Sequence, residues 1–423
     1  MLDIKFIREN SELVKGAVQK KRKTVNIDEL LEVDKKRLVL LGEIEALRAE
    51  QNKASDAIGK IGVDPIVRTT LIESMNGVKE KLQAKEEEYK ELMKIWHGFM
   101  LEVPNIPDMS VPEGNDERDN VEIKRWGEKP NFSFEPKDHV ELMTSLGMVD
   151  FVRGVKAHGF RGYFLQGDGV LLSWAIWNYA RDFFLKRNFN PIIPPVIVRK
   201  QHLYGTGHLP GDAEDSFKTQ DDDYLAGTAE IPMMAYHADE ILDKDELPKR
   251  YLAFSPCFRR EAGSHSKDVK GLIRVHEFFK WEQVIICEAS HEQSARFHEE
   301  LNRNTEEFIE SLGLPYRQIE ICTGDLKGAH VKSYDTELWV PKENTYREIA
   351  SASYYHDYQT RRFNIRYRDT DRTLRYTHSL NATAIPTPRL LVSLVENFQQ
   401  QDGSIFIPEV LRPYIGKDTL IKL

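Results

Sequence analysis

A chain of 423 residues that is 40% hydrophobic has material for two packed domains, and its formal net charge of −9 excludes a protein that coats nucleic acid nonspecifically, since that needs clustered lysine and arginine. The opening MLDIKFIREN has no apolar leader, and no stretch reaches the roughly 20 apolar residues a membrane helix needs, so the expectation is a cytoplasmic protein without a membrane partner. Cys257, Cys287 and Cys322 are too scattered for a disulfide framework or a C-x-x-C zinc site and read as small buried apolar residues.

Charge is unevenly distributed. Residues 1–100 hold 19 Lys and Arg against 18 Asp and Glu, so the acidic excess lies in the remainder and the first segment is free to touch RNA. The run KKRK at 20–23 reads as a solvated loop. After a short amphipathic segment near Asp3 to Gln19, steps of three and four land on Leu30, Val33, Arg37, Leu40, Ile44, Leu47, Gln51, Ala54 and Ile58, and seven of these nine are apolar. A second string, Leu71, Met75, Val78, Leu82, Lys85, Tyr89, Leu92, Trp96 and Phe99, has eight of nine. Both are coiled-coil seams. GKIGVDP between them stops one helix with glycine and starts the next with Asp64-Pro65, and so short a connector demands an antiparallel hairpin. At 1.5 Å per residue the hairpin reaches roughly 45 Å, and its narrow apolar stripe predicts a projecting arm with the first segment bracing its base.

The pattern dissolves in LEVPNIPDMSVPEGNDERDN, rich in proline and charge. Domain boundaries follow: an arm over 1–103, a linker over 104–120 and a body over 121–423. The body shows mixed strand and helix patterns without a repeat, with successive strands joined by loops, which predicts an α+β fold on an antiparallel sheet flanked by helices. Within it, LAFSPCFRRE and HEFFKWEQVIIC read as two strands of a hairpin. Alternation puts Arg259 and Glu261 on one face of the first strand, and Phe278, Lys280 and Glu282 on one face of the second. Gly263 and Gly271 in the loop supply positive-φ positions. A guanidinium, an aromatic plate and two carboxylates on one surface suit a nucleotide: the guanidinium grips phosphate, the ring stacks on a base, and one carboxylate accepts its amino protons. An ion-paired surface hairpin is the competing reading. Neither a GxxxxGK[ST] loop nor a GxGxxG fingerprint occurs.

Across nearly its whole length the chain resembles the seryl-tRNA synthetases, a class II aminoacyl-tRNA synthetase family. RNFNPIIPPVIVR (Arg187 to Arg199) is similar to motif 1, whose proline helps form the dimer interface; the hairpin resembles motif 2; NATAIPTPRLLVSLVEN (Asn381 to Asn397) resembles motif 3. GTAEIP (227–232), TYREIAS (345–351) and EVLRPYIG (409–416) resemble family segments around the same pocket.

The resemblance implies a serine–tRNA ligase. ATP and L-serine would form seryl-adenylate, and the seryl group would pass to the 3′ end of tRNA(Ser), with tRNA(Sec) a further candidate; a homodimer and magnesium are implied too. Arg259 would hold the α-phosphate and the amino-acid carboxylate. Arg274 and Arg389 would clamp the outer phosphates, Phe278 would stack on adenine and Glu261 would take its amino protons. The catalytic pair is then Arg259 and Arg389. Glu348 and Ser351 would bind magnesium through oxygen, which requires a bulge because they face opposite ways on a regular strand. Thr228, Glu230, Arg259, Glu282, Asn381 and Thr383 would bind serine: Glu282 neutralises the ammonium, while Asn381 and Thr383 hydrogen-bond the hydroxyl. A site built for that hydroxyl rejects alanine by roughly 10⁴-fold, and threonine is excluded by size. His265 and Lys267 stand near the acceptor end or in a solvated loop.

Motif 3 departs from the small and glycine positions common in bacterial members, with Ala382, Thr383, Ala384 and Pro388 in a variant reminiscent of archaeal and eukaryotic ones. Thr383 keeps a hydroxyl, but backbone freedom is reduced. Two rivals remain: a paralogue that loads an amino acid onto a carrier protein, disfavoured because such relatives lack the arm, and a noncatalytic RNA-binding scaffold.

Overall fold

A computed structural model of the chain describes residues 1–58, 65–262, 268 and 270–421. Two compact units emerge, one made of Leu2–Gln19 with Lys23–Pro104 and the other essentially of Asn105–Leu423.

The first unit is helical: α1 (Ile4–Glu9), α2 (Ser11–Lys20), α3 (Ile27–Ile58) and α4 (Pro65–Glu102). The seam appears as expected: from Leu30 to Ile58 every forecast position on α3 is buried or half-buried, and so is every one from Met75 to Phe99 on α4. Leu40, Ile44 and Leu82 form its core, with Leu47, Tyr89 and Leu92 packed beside them. Lys85 crosses to Glu43 at 2.9 Å and Arg48 to Glu86 at 2.7 Å, fixing the antiparallel register from the flanks. At the base, fully buried Asp34 accepts from Trp96 Nε1 at 3.0 Å and pairs with Arg37 at 2.8 Å. Arg8 of α1 reaches the same carboxylate at 3.0 Å, which is how the first short helix braces the hairpin. The connector residues 59–64 and the side chain of Leu71 lie outside the described residues.

In the second unit eight strands form one sheet: β1 (Val121–Trp126), β2 (Asn190–Ile192), β3 (Lys249–Phe258), β4 (Glu277–Cys287), β5 (Tyr316–Glu320), β6 (Lys332–Val340), β7 (Thr345–His356) and β8 (His378–Thr387). Their spatial order is β1-β5-β6-β7-β8-β4-β3-β2. All neighbours are antiparallel except β2, which runs parallel to β3 at the edge. Three helices matter for the core: α5 (Asp168–Leu185), α7 (His291–Ser311) and α9 (Arg389–Asn397). The short α6 (Glu230–Ala235) and α8 (Tyr358–Phe363) border the cavity described below. The α7 helix is capped by Ser290, whose hydroxyl accepts from Gln293 N–H, and it buries Phe297, Leu301, Phe308 and Ile309 in the main core with Ala352, Tyr354 and Leu380 of the sheet. All three cysteines are buried and unpaired. Among the described residues no helix is long and apolar enough to cross a membrane.

Candidate active site

Pairing of β3 with β4 sets Cys257 opposite Phe278, Ser255 opposite Lys280 and Ala253 opposite Glu282, so Phe278, Lys280 and Glu282 share one face of the sheet. The expectation for the first strand needs correction. β3 stops at Phe258, and although Arg259 N–H still donates to His276 O at 3.0 Å, Glu261 has left the ladder with φ +53°. Its carboxylate reaches the site from a left-handed turn, a conformation a non-glycine residue holds only where surroundings enforce it. Here Arg274 does so, donating to Glu261 at 3.0 Å and to Asp268 at 3.0 Å. Gly271 has φ +92°, and a Cβ there would stand 2.2 Å from His139 Nε2. Gly263, His265 and Lys267 lie outside the described residues.

On β7 the required bulge is present. Thr336 pairs with Ala350 but Glu337 with Glu348, so the register slips by one and Ile349 is the extra residue. The slip brings Glu348 and Ser351 onto the wall of one cavity. A second slip on β8, between Thr383 and Ile385 against β4, bends the strand beside Glu282.

These devices enclose a cavity of about 760 Å³, within the range of small-molecule sites. Of the forecast residues it gathers Thr228, Glu230, Arg259, Glu282, Asn381 and Thr383, together with Glu348 and Ser351. A smaller recess of about 50 Å³ shares Arg259, Glu348 and Thr383 with it and adds Glu261, Phe278 and Arg389. The Arg259 guanidinium lies 5.3 Å from the centre of the Phe278 ring, and its Nε donates to Gly227 O at 3.3 Å. Arg389 opens α9 and donates to Ile273 O at 3.0 Å and Glu348 O at 2.8 Å. Arg274 lines neither space and touches the site through Glu261.

The two ends differ in burial. Thr228, Glu230, Glu282, Asn381 and Thr383 are all buried, while Arg259, Glu261, Phe278 and Arg389 are half-buried and Glu348 is exposed. Burial raises the pKa of Glu230 above the usual carboxylate range, opposed first by Gln359, whose Nε2 donates to it at 2.6 Å, and then by Lys280. Burial raises Glu282 as well, opposed by Lys280. Tyr355 O–H donates to Asn381 Oδ1 at 3.0 Å, and Thr305 Oγ1 of α7 donates to the Thr383 carbonyl at 2.9 Å.

Lys280, Tyr355 and Asp335 also line the cavity, and Gln359 bonds Glu230, though the sequence motifs assign none of them a role. Alternation alone placed Lys280 on the right face; the others come from separate elements with no local signal. Asp335 stands opposite Ser351 on β6, where burial and the Glu348 charge push its carboxyl well up. Acidic oxygens so placed fit a hard cation that keeps water and phosphate as its other ligands. Among the described residues no three His, Cys, Asp or Glu groups converge as a protein-only metal cage.

An antiparallel sheet presenting arginines from a strand end and a helix start to one cleft is the core of a class II tRNA synthetase, and residues 216–398 match the "tRNA synthetase class II core domain (G, H, P, S and T)". Residues 1–107 match the "Seryl-tRNA synthetase N-terminal domain". The chain is 44% identical to the serine–tRNA ligase of Deinococcus radiodurans, covering 98% of each chain. It is likewise 44% identical to that of Thermodesulfovibrio yellowstonii over 99% of this chain and all of the relative. Among solved structures it is similar to the seryl-tRNA synthetase from Pyrococcus horikoshii complexed with ATP, with 40% identity, full coverage of both chains and a TM-score of 0.90. The chain belongs to the seryl-tRNA synthetase family.

Proposed function

We propose that this chain is a serine–tRNA ligase that activates L-serine with ATP and esterifies it to the 3′ end of tRNA(Ser), with tRNA(Sec) as a second candidate acceptor. The observation that carries this reading is that Arg259, Glu282 and Arg389, from three separate elements, meet in two adjoining spaces. The buried acidic end takes a small zwitterion: Glu282, Glu230 and Thr228 hold the ammonium, and Asn381 and Thr383 hold the hydroxyl. At the half-buried end Phe278 stacks on adenine, Glu261 takes its amino protons, and Arg389, with Arg274 behind Glu261, neutralises the outer phosphates.

Arg259 stands between, where the serine carboxylate oxygen attacks the α-phosphorus. A phosphorus–oxygen bond forms, the bond to the β-phosphate breaks, and pyrophosphate leaves. In the second step a ribose hydroxyl of the tRNA attacks the acyl carbon, the mixed anhydride opens, and AMP departs. Positioning and charge stabilisation supply most of the acceleration, with no protein nucleophile. Glu348 and Ser351 would hold magnesium, which supplies further charge neutralisation at the phosphates.

The helical hairpin would grip the variable arm of the tRNA by shape and backbone contacts. A homodimer through the motif 1 region accounts for exposed Ile193 and Ile197, and the work belongs in the cytoplasm. The test is pyrophosphate exchange into ATP with each of the twenty amino acids, followed by charging of tRNA(Ser) and tRNA(Sec). Serine-dependent exchange with charging is expected. No exchange with serine refutes the reading, and exchange without charging indicates a carrier-protein ligase.

A further inference from the structure

Inside the cavity a lysine stands among the groups just assigned to the substrate. Lys280 Nζ donates to Thr228 Oγ1 at 2.9 Å and is ion-paired with the Glu282 carboxylate. Its side chain is 6% exposed and that of Glu282 3%. The same lysine borders both the serine end and the nucleotide recess.

Counting charge gives it a purpose. Glu230 and Glu282 are two buried carboxylates, Glu282 feeling the charge of Glu230, and burial together with a like charge drives such a pair to keep a proton. A carboxyl that keeps its proton cannot receive an ammonium without first expelling it. One ammonium paired with Glu282 and acting through space on Glu230 removes that obstacle, and the substrate ammonium then makes two cations for two anions. The groups facing the pair from neighbouring elements are few. Arg259 and Lys327 add positive charge, and Tyr355 adds a neutral phenol. His208 is drawn to its neutral form by burial and by Lys327. Gln359 is uncharged and already spent on Glu230.

We propose that Lys280 is a positioning residue, a built-in countercation that keeps Glu230 and Glu282 both ionised in the empty site, so that the ammonium of the incoming amino acid completes a neutral buried quartet. The inference rests on the reading that this cavity takes serine. It also gives Thr228 a second duty, because its hydroxyl anchors the lysine while the threonine borders the substrate.

The experiment is serine-dependent pyrophosphate exchange from pH 5 to 9 for the wild type, Lys280→Met and Lys280→Arg, with KM for serine and for ATP measured separately. Losing a cation beside a carboxylate raises its pKa by about one to three units, so in K280M the acid limb of kcat/KM for serine should move up by about one pH unit or more. The KM for serine should rise about tenfold or more at neutral pH, and K280R should restore most of the profile. An acid limb that stays in place in K280M, or a rise confined to the KM for ATP, overturns the proposal and makes Lys280 a structural or phosphate contact.

Should K280M not fold, calorimetric titration of L-serine into the wild type at pH 7.5 in two buffers of different ionisation heat decides. Equal apparent enthalpies are expected, and release of a proton on binding overturns the proposal. Absence of serine exchange in the wild type would instead overturn the functional reading.

Discussion

Thr305→Val removes one hydroxyl from the buried network that props the floor of the proposed serine pocket. Thr305 is 2% exposed; its Oγ1 donates to Thr383 O at 2.9 Å and accepts from Gln283 Nε2 at 3.1 Å. Gln283 also donates to Leu301 O at 3.1 Å and accepts from Asn304 at 3.0 Å, so it keeps part of its bonding in the variant. Valine fills nearly the same volume, so no cavity opens and the loss is one of hydrogen bonding. The heavier share falls on the Thr383 carbonyl. Leaving a buried acceptor unpaired costs about 1–3 kcal/mol, and with the weakened glutamine the total is about 2–3 kcal/mol.

Thr383 lines the cavity at the register slip on β8, so a looser carbonyl should also blur the proposed recognition of serine. Urea unfolding followed by circular dichroism measures the first effect, and exchange with serine against alanine measures the second. Discrimination should fall about tenfold with the KM for ATP unchanged, since one mispositioned hydrogen bond is worth about 1.4 kcal/mol. A stability change under about 0.5 kcal/mol together with intact discrimination would refute the reasoning.

Arg259→Lys should lower serine-dependent exchange by about 10²–10³-fold while leaving the melting temperature in place, because the guanidinium makes one long bond to Gly227 O and, in the proposed function, serves the reacting phosphate rather than the fold. His298 is 1% exposed, its Nε2 lies 2.9 Å from Ala352 O, and burial pulls its pKa down to about 4. The unfolded chain therefore takes up this proton first as pH falls, and stability present above pH ~6.5 is lost down to about 4, by up to about 3 kcal/mol. His298→Gln should flatten that part of the acid loss in urea titrations at pH 7 and 4.5; His356 and His378, also drawn to about 4, keep the remainder. Deleting Leu30 to Phe99 should spare pyrophosphate exchange and abolish tRNA charging, and equal loss of both would contradict a division of labour between the units.

The arm was legible because its determinants are local. A 3.5-residue repeat dictates which side chains face the partner helix, and Leu40, Ile44 and Leu82 are where the repeat puts them. Period-two alternation likewise placed Phe278 and Glu282, and the bulge at Ile349 was demanded by two residues that had to face one way. Tertiary features were not readable in this manner. Glu261 turns out of the strand because Arg274, thirteen residues on, holds it there, which no local preference announces. Gln359 and Thr305 act on Glu230 and Thr383 from helices 129 and 78 positions away, with ordinary helical surroundings in the sequence.

The burial gradient across the cleft explains why its charges are apportioned as they are. In the dry end each ionic contact is strong but each unbalanced charge is costly, so two carboxylates serve there only with Lys280 beside them. Toward the open end water weakens every pair. A polyphosphate carrying several negative charges therefore calls for more than one arginine, and the fold supplies Arg259 from the end of a strand and Arg389 from the start of a helix. On the proposed function the reacting centre falls at Arg259, where the two regimes meet. A cation there is dry enough to act strongly on the α-phosphate and wet enough to be charged at little cost before substrate arrives.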